Sequence, residues 1–278
     1  MSRPFTIAHS LRVILAMGWS DFVLKYRGSF FGYLWSLAAP LVKFLVILYV
    51  FGPFMRDAIP DYPLYLFLGI ILWEHFTHTT MGCMTMLHDK KSIIQKLRFP
   101  RILLIFSVGW TNFIIFLTHF CIFLFFALVL DITFTWTRFS MLLIFVQMTL
   151  LALGVGMMLS SFSLRFKDIP HLWSVMTQIL FWLTPIMYPY SADRPFFEAL
   201  LQVPGLMRDI SWVRFLDIFV RFQPLSVLIH DARRAMIFSP SQAPSALHAL
   251  GFTILCLLLF SIGVLIFIRR SQSFLQEY

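Results

Sequence analysis

Six long apolar stretches constrain this chain more than any other feature of its sequence. They cover residues 31–54, 62–84, 102–130, 139–162, 170–188 and 248–268. A helix needs about 20 mostly apolar residues to cross the hydrocarbon of a bilayer. Each stretch is close to that length or longer, so the pattern predicts six transmembrane helices. Pro40 and Lys43 interrupt the first stretch, which is the least regular of the six.

The composition excludes a soluble fold. Of the 278 residues, 59% are hydrophobic and 13% are charged, whereas soluble domains carry about 25% charged residues. The 33 phenylalanines exceed what the interior of a globular domain of this length would hold, but lipid accepts apolar surface on the outside. We therefore predict an all-α integral membrane protein, and we expect residues 1–278 to form a single domain.

The net charge of +9 lies in short segments between the apolar stretches. Membrane proteins present Lys and Arg to the cytoplasm and to anionic lipid in this way, so we expect membrane lipid, and no nucleic acid, as a partner. Residues 1–30 and 85–101 carry four and five Lys or Arg, against one each in the two short loops of the opposite side. Both termini are therefore predicted to be cytoplasmic. The three cysteines lack paired spacing and predict no disulfide framework and no metal site.

Three segments outside the spans also have predicted roles. Residues 10–27 form an amphipathic helix at the cytoplasmic interface, within a first segment of 1–30. Residues 86–101 form a short basic segment after the second span of the unit 31–188. The external segment 189–247 contains apolar pieces too short to span, which predicts re-entrant helices before the last span and its cytoplasmic tail, 248–278.

Lys43 and Glu74 are the charges that lie deepest in the predicted spans. Both lie at similar depth on consecutive helices, so we predict that they pair or share a water-filled path. A structural ion pair, a pore-facing role and snorkelling to the interface are the alternatives. His75 and His78 could share a helix face and form a metal pair, but no third ligand is evident nearby, so pore lining or hydrogen bonding between helices is the favoured explanation.

The sequence predicts no catalytic residues. It lacks the GxxxxGK[ST] phosphate loop, the GxSxG elbow and the HExxH zinc motif. We therefore expect this chain to bind no nucleotide, metal or other cofactor of its own.

Four segments resemble the membrane subunit of ABC transporters that export lipid-linked polysaccharide such as O-antigen or teichoic acid. They are KYRGSFFGYLWSLAAPL (25–41), LRFPRILL (97–104), SLRFKDIPHLWSVMTQILFWLTPIMYP (163–189) and FQPLSVLIHDARRAMI (222–237). Together, in this order, they cover most of the predicted topology. Gln223 departs from the Asn that this family usually has before the proline.

The resemblance implies a homodimeric permease in the bacterial inner membrane that pairs with two copies of a separate ATPase. ATP and Mg²⁺ would bind to that partner, and the cargo would be an undecaprenyl-linked polysaccharide, either O-antigen, teichoic acid or a capsule-like glycan. The family contacts its ATPase through the interface helix and the first cytoplasmic loop. Here the loop residues expected to couple the two subunits are Lys90, Lys91, Lys96 and Arg98.

Two further groups of residues receive predicted roles. Arg12, Lys25 and Arg27 would meet the lipid pyrophosphate, because Arg and Lys recognise phosphate; orientation by positive charge alone is the alternative. In the external segment, a helix after Pro224 would place Leu228 and Ala232 on a gate-sealing face. The same helix would turn Asp231 and Arg234 towards the external interface, where they could meet sugar hydroxyls.

Two other functions are compatible with a polytopic membrane protein. An envelope glycosyl or acyl transferase would need acidic or His side chains converging on one face, and the acids of this sequence are dispersed. An ion-coupled lipid flippase would need more intramembrane charge than Lys43 and Glu74 supply.

Overall fold

The computed structural model describes residues 7–28, 30–90, 100–132, 135–163, 165–189, 218–220 and 222–273. Within these ranges all regular structure is helical, as predicted. The α-helices of these ranges are α1 (Ile7–Tyr26), α2 (Leu34–Met55), α3 (Tyr62–Asp89), α4 (Ile102–Val129), α5 (Ser140–Ser163), α6 (Ile169–Leu183), α7 (Pro224–Met236) and α8 (Ala246–Ser273). A short 3₁₀ helix, Trp136–Phe139, leads into α5.

Five of the described helices are long and apolar enough to cross a membrane: Ile7–Tyr26, Leu34–Met55, Ile102–Val129, Trp136–Ser163 and Ala246–Arg270. This set overlaps with the six predicted spans but does not match them. The first helix passes the same test, although an interfacial position was predicted for it. The second and fifth predicted spans correspond to α3 and α6, which are absent from the set.

The fifth predicted span, 170–188, is wrong at its C-terminal end. Helix α6 has 15 residues, about 22 Å of helix, and the chain leaves it at Thr184. Thr184 has the extended backbone conformation, with φ −80° and ψ 134°, that a residue preceding proline favours. Pro185 therefore ends the helix five residues before the apolar stretch ends.

Helix α3 is the centre of the bundle and packs against α2, α4, α5, α6 and α7. Every residue from Leu64 to Trp73 is buried, so the buried positions surround the whole helix instead of forming one stripe. A helix enclosed by other helices has no lipid-facing side to keep apolar. This explains how α3, with 28 residues, accommodates Glu74 and His75 in its middle, whereas the side chain of His78 is half exposed.

Helices α5 and α8 pack at very short distance through glycine. A Cβ built on Gly154 would lie 2.9 Å from Phe260 Cα, and one on Gly263 would be closer still to the backbone of Gly154. Close backbone approach at small residues is the usual way in which membrane helices associate, because lipid gives apolar side chains little reason to associate. The contact therefore depends on the absence of side chains at both glycines.

Helix α1 packs along the half of α4 that begins at Ile102. Gly18 permits this approach, since a Cβ there would lie 2.8 Å from the carbonyl oxygen of Ser107. Thr111 Oγ1 donates a hydrogen bond of 2.9 Å to the Gly18 carbonyl. Asp21 forms an ion pair with Lys90, the first residue after α3. These contacts fix α1 to both α3 and α4.

Large apolar side chains remain exposed on the outer helices. On α2 they include Val42, Leu45, Val46 and Tyr49, and on α6 they include Val175, Ile179 and Trp182. A protein in water would bury such a surface, whereas lipid solvates it. The exposed faces therefore agree with the predicted membrane location.

Candidate functional site

The predicted pairing of Lys43 with Glu74 is confirmed. Lys43 Nζ lies 3.0 Å from Glu74 Oε1, and the side chains are 33% and 18% exposed. The ammonium group also lies 4.1 Å from the centre of the Phe181 ring on α6. The ion pair and the cation–π contact therefore join α2, α3 and α6.

The second carboxylate oxygen of Glu74 also has a partner. His78 Nε2 lies 3.2 Å from Glu74 Oε2, one turn further along α3. Both oxygens are therefore held in place, and each keeps a lone pair for a further hydrogen bond. Glu74 is a fixed acceptor in the middle of the bundle.

His119 on α4 compensates for a proline in α2. Pro40 has no N–H, so it cannot bond to the Ser36 carbonyl four residues earlier. His119 Nε2 donates to that carbonyl at 2.9 Å instead. Because a carbonyl can only accept, the proton of His119 is on Nε2, and the neutral ring has an acceptor at Nδ1.

A cavity of about 300 Å³ lies where the end of α1 and the start of α2 meet α3 and α4. The turn between α1 and α2 contains Gly28 (φ 83°) and Gly32 (φ 50°), a conformation that glycine adopts without strain. Trp35, Ala39 and Pro40 supply part of the apolar wall. The polar side chains of the wall are Lys25, Tyr26, Ser36, Glu74, His78 and His119.

The three cations predicted to meet pyrophosphate do not form one group. Lys25 lines the cavity, and Arg27 follows it in the turn after α1. Arg12 is 13 residues before Lys25 on the same helix, which corresponds to about 20 Å. All three are exposed, but only Lys25 is placed beside Glu74 and the two histidines.

His75 has a separate environment from His78. Its Nε2 lies 3.1 Å from Thr149 Oγ1 on α5, and its ring packs against Phe116 and Phe145. Across the described part of the chain, no group of three His, Cys, Asp or Glu residues could hold a metal ion. The hydrogen bond to Thr149 therefore accounts for Nε2 of His75.

Lys90 is less exposed than was predicted for a charge that faces a partner protein. Its side chain is 13% exposed and forms the ion pair with Asp21 of α1. This pair joins the two segments for which the sequence predicted a cytoplasmic position and a docking role. The other predicted coupling residues, Lys91, Lys96 and Arg98, lie outside the described residues.

Helix α7 begins at Pro224, within one residue of the predicted start, but its faces are arranged differently. Leu228 and Ala232 are fully buried in the core and present no surface to a channel in this conformation. Asp231 is also buried, at 5% side-chain exposure, and lies 2.8 Å from His248 Nε2 and 3.6 Å from Arg234 Nη1. Burial raises the pKa of Asp231, and the His248 hydrogen bond acts in the opposite direction. Asp231 is therefore not the exposed carboxylate that was predicted to contact sugar hydroxyls.

Arg233 belongs to a charged cluster that the sequence shows after Pro224 (His230, Asp231, Arg233 and Arg234), but sequence reasoning gave it no role of its own. Its side chain is fully buried and donates to three carbonyls, those of Tyr65 at 3.2 Å, Pro185 at 2.6 Å and Ile186 at 2.7 Å. The guanidinium also lies 3.4 Å from the centre of the Tyr65 ring. Burial lowers the pKa of Arg233 to about 10, so it stays charged at neutral pH.

Arg233 and two tyrosines hold the chain that follows α6. Tyr62 donates to the Met187 carbonyl and Tyr65 to the Tyr188 carbonyl, each at 3.0 Å. Together these donors form hydrogen bonds to the backbone carbonyls of the four consecutive residues 185–188, which lie beyond the end of α6. We call this group of three side chains and four carbonyls the 185–188 clamp. The sequence signal was an arginine on the apolar side of α7, four residues after Ile229.

Replacing either member of the Lys43–Glu74 pair should have nearly the effect of replacing both. Lys43→Met leaves a partly buried carboxylate, and Glu74→Gln leaves a partly buried ammonium. We expect each single variant to lose about 1–3 kcal/mol of stability and the double variant to lose less than the sum. Thermal unfolding of the three variants measures this coupling. Strict additivity would show that the pair contributes no interaction of its own.

Comparison with known proteins identifies a protein family that this chain matches. Residues 12–203 match the family described as ABC-2 type transporter. The chain is 31% identical over 172 residues to the O-antigen export system permease protein RfbA of Myxococcus xanthus, an alignment that covers 60% of this chain and 64% of that protein. The chain thus spans slightly less than two thirds of that relative.

Two proteins of the same name from Klebsiella pneumoniae are also similar. One is 25% identical over 232 residues, covering 82% of this chain and 89% of the relative. The other is 26% identical over 188 residues, covering 66% and 71%. The alignments and the family match therefore extend over most of the helical bundle.

Proposed function

Because the chain belongs to the ABC-2 type transporter family, we propose that it is the transmembrane subunit of an ATP-driven exporter of lipid-linked polysaccharide. The observation that carries this proposal is its similarity, over 82% of the chain in one case, to permeases named for O-antigen export. The lipid-exposed faces of α2 and α6 support a multi-pass location in the inner membrane.

The proposed assembly contains two copies of this chain and two copies of an ABC ATPase, which binds ATP and Mg²⁺. The sequence supports a separate ATPase because it contains no phosphate loop. Both termini would be cytoplasmic, in agreement with the distribution of Lys and Arg. Helix α1 and the chain after α3 would then face the ATPase.

The Asp21–Lys90 ion pair suggests how movement of the ATPase could reach the membrane. Asp21 is four residues before Lys25 on α1, and Lys90 directly follows α3. A force on this part of the surface would move α1 as a rigid body. Lys25 and Tyr26, at the end of the same helix, would move with it and change the shape of the cavity.

The polyprenyl pyrophosphate would approach this cavity from the cytoplasmic leaflet. Lys25 lines this cavity and is exposed, Arg27 follows in the next turn of the chain, and a phosphate favours such cations. The glycan itself would pass between the two copies of the chain. Opening of the external side would require a change in α7 or in the residues before it.

Export should depend on the ATPase and not on this chain alone. We expect the purified chain to hydrolyse no ATP, and the two subunits to copurify in equal amounts and to export glycan from inverted vesicles. The matched control is the same complex with an ATPase that binds ATP but cannot hydrolyse it. ATP hydrolysis by the isolated chain, or export without the ATPase, would contradict the proposal.

A further inference from the structure

A groove separate from the candidate cavity lies at the other end of α2. It has a volume of about 480 Å³ and runs between the last turns of α2 and the start of α3. Its wall is mostly apolar and includes Leu48, Gly52 and Pro53 of α2 and Tyr62 and Pro63 of α3. We call it the α2–α3 groove. Its volume falls within the range of sites that hold small molecules, roughly 300–1,000 Å³.

The walls of the α2–α3 groove are fixed without a ligand. The Tyr62 ring is buried, and its hydroxyl group belongs to the 185–188 clamp. On the α2 side, Gly52 leaves the groove open. The nearest atom that a Cβ built at Gly52 would meet outside the helix backbone is Leu48 Cδ1, at 3.6 Å. The groove is therefore present before any ligand binds.

The length of the groove matches one leaflet of a bilayer. Helix α2 is long and apolar enough to span a membrane and ends at Met55. Between Leu48 and Arg56 the chain rises about 12 Å, and half of the hydrocarbon thickness is about 15 Å. Arg56 also lines the groove. An acyl chain that follows the groove therefore ends where the layer of lipid headgroups begins, beside a cation.

Charges of both signs lie at this end of the groove. Arg56, Asp57 and Asp61 are exposed in the turn between α2 and α3, and Asp61 directly precedes Tyr62. In the part of the chain that the structure describes, none of the three forms an ion pair. A purely anionic headgroup would pair with Arg56 but would be repelled by both carboxylates. A headgroup with a phosphate and an ammonium group is complementary to all three charges.

We propose that the α2–α3 groove binds a phospholipid whose headgroup ends in a primary ammonium group, the chemistry of phosphatidylethanolamine. One acyl chain lies along α2 at Gly52, the phosphate pairs with Arg56, and the ammonium group donates hydrogen bonds to Asp57 and Asp61. This inference requires the chain to lie in a membrane, and it does not depend on the cargo of the proposed exporter.

Native mass spectrometry of the full-length chain tests the choice of headgroup. The probes are phosphatidylethanolamine, its singly and doubly N-methylated forms, phosphatidylcholine and phosphatidylglycerol, all with the same acyl chains and offered in equal amounts. We expect phosphatidylethanolamine to be retained about tenfold more than phosphatidylcholine, because the quaternary ammonium group of the latter has no N–H to donate. Retention should fall with each added methyl group, and phosphatidylglycerol should not exceed phosphatidylcholine.

Variants assign this preference to the groove. Asp57→Asn combined with Asp61→Asn should reduce retention of phosphatidylethanolamine to that of phosphatidylcholine. Gly52→Leu should fill the groove and remove the retained lipid. It should not lower the unfolding temperature, because the new side chain starts in open space. The matched control is Gly251→Leu on α8, where no atom lies within 4 Å of an added Cβ; it should retain lipid like the wild type.

Equal retention of all five lipids by the wild type, or unchanged retention in Gly52→Leu, would overturn the proposal. A second copy of the chain is the competing occupant of the groove. If Gly52→Leu separates dimers while the headgroup makes no difference, the groove belongs to the contact between copies and the lipid assignment is wrong.

Discussion

Replacing Arg233 by methionine should unfold the outer part of the bundle or prevent the protein from accumulating in the membrane. The guanidinium donates to three buried carbonyls, and methionine fills similar space without a donor. Each unsatisfied buried carbonyl costs about 1–3 kcal/mol, so we expect a loss of about 3 kcal/mol or more. Arg233→Lys keeps the charge but not the fork of donors, so it should rescue the protein only in part.

The neighbouring residue gives a matched control. Arg234 is 30% exposed and contacts Asp231 at 3.6 Å and the Gln242 carbonyl. A partly solvated contact of this kind contributes less than about 1 kcal/mol, so Arg234→Met should accumulate and unfold much like the wild type. Membrane abundance and thermal unfolding in detergent measure both variants. Equal stability of Arg233→Met and Arg234→Met would show that the 185–188 clamp is unimportant.

Replacing Gly154 by leucine should separate α5 from α8 and destabilise the protein strongly. A Cβ at this position would lie 2.9 Å from Phe260 Cα and 3.0 Å from the Leu259 carbonyl oxygen. Both neighbours are backbone atoms, which cannot move aside as a flexible side chain can. Overpacking typically costs about 1–3 kcal/mol, and more where nothing can yield, so we expect at least about 3 kcal/mol.

Gly251 on α8 is the control for this substitution. No atom lies within 4 Å of a Cβ built there, and the residue is exposed. Gly251→Leu adds the same side chain in a helix but should change stability by less than about 1 kcal/mol. The unfolding temperatures of the two variants compare the sites directly. Similar values would indicate that α5 and α8 separate at little cost.

The features that could be predicted from the sequence are those that the surrounding membrane lipid imposes on the helices. Lipid requires long apolar helices, so the starts of α2, α4 and α8 lie within a few residues of the predicted limits. An ionised group in an apolar helix needs a partner, which made the Lys43–Glu74 pair predictable. The early end of α6 was also present in the sequence, since Pro185 lies within the fifth apolar stretch.

The remaining features depend on contacts between residues far apart in sequence. Tyr26 enters the candidate cavity only because the α1–α2 turn brings α1 beside α3 and α4. The charge of Lys90 suggested an exposed site, but its contact with Asp21 arises from the packing of α1. Arg233 violates the apolar pattern of α7, and its partners are at least 47 residues away in sequence. No periodicity in the sequence specifies such partners.

The bond between His119 and the Ser36 carbonyl has a mechanical consequence for α2. Because Pro40 leaves this carbonyl without a partner in its own helix, α2 can bend there by breaking a bond to its neighbour and none of its own. The part of α2 after Pro40 is anchored to α3 by Lys43, three residues further along the helix. A bend at Pro40 would therefore tilt the preceding part, which carries Trp35, and would change the wall of the cavity that both residues line.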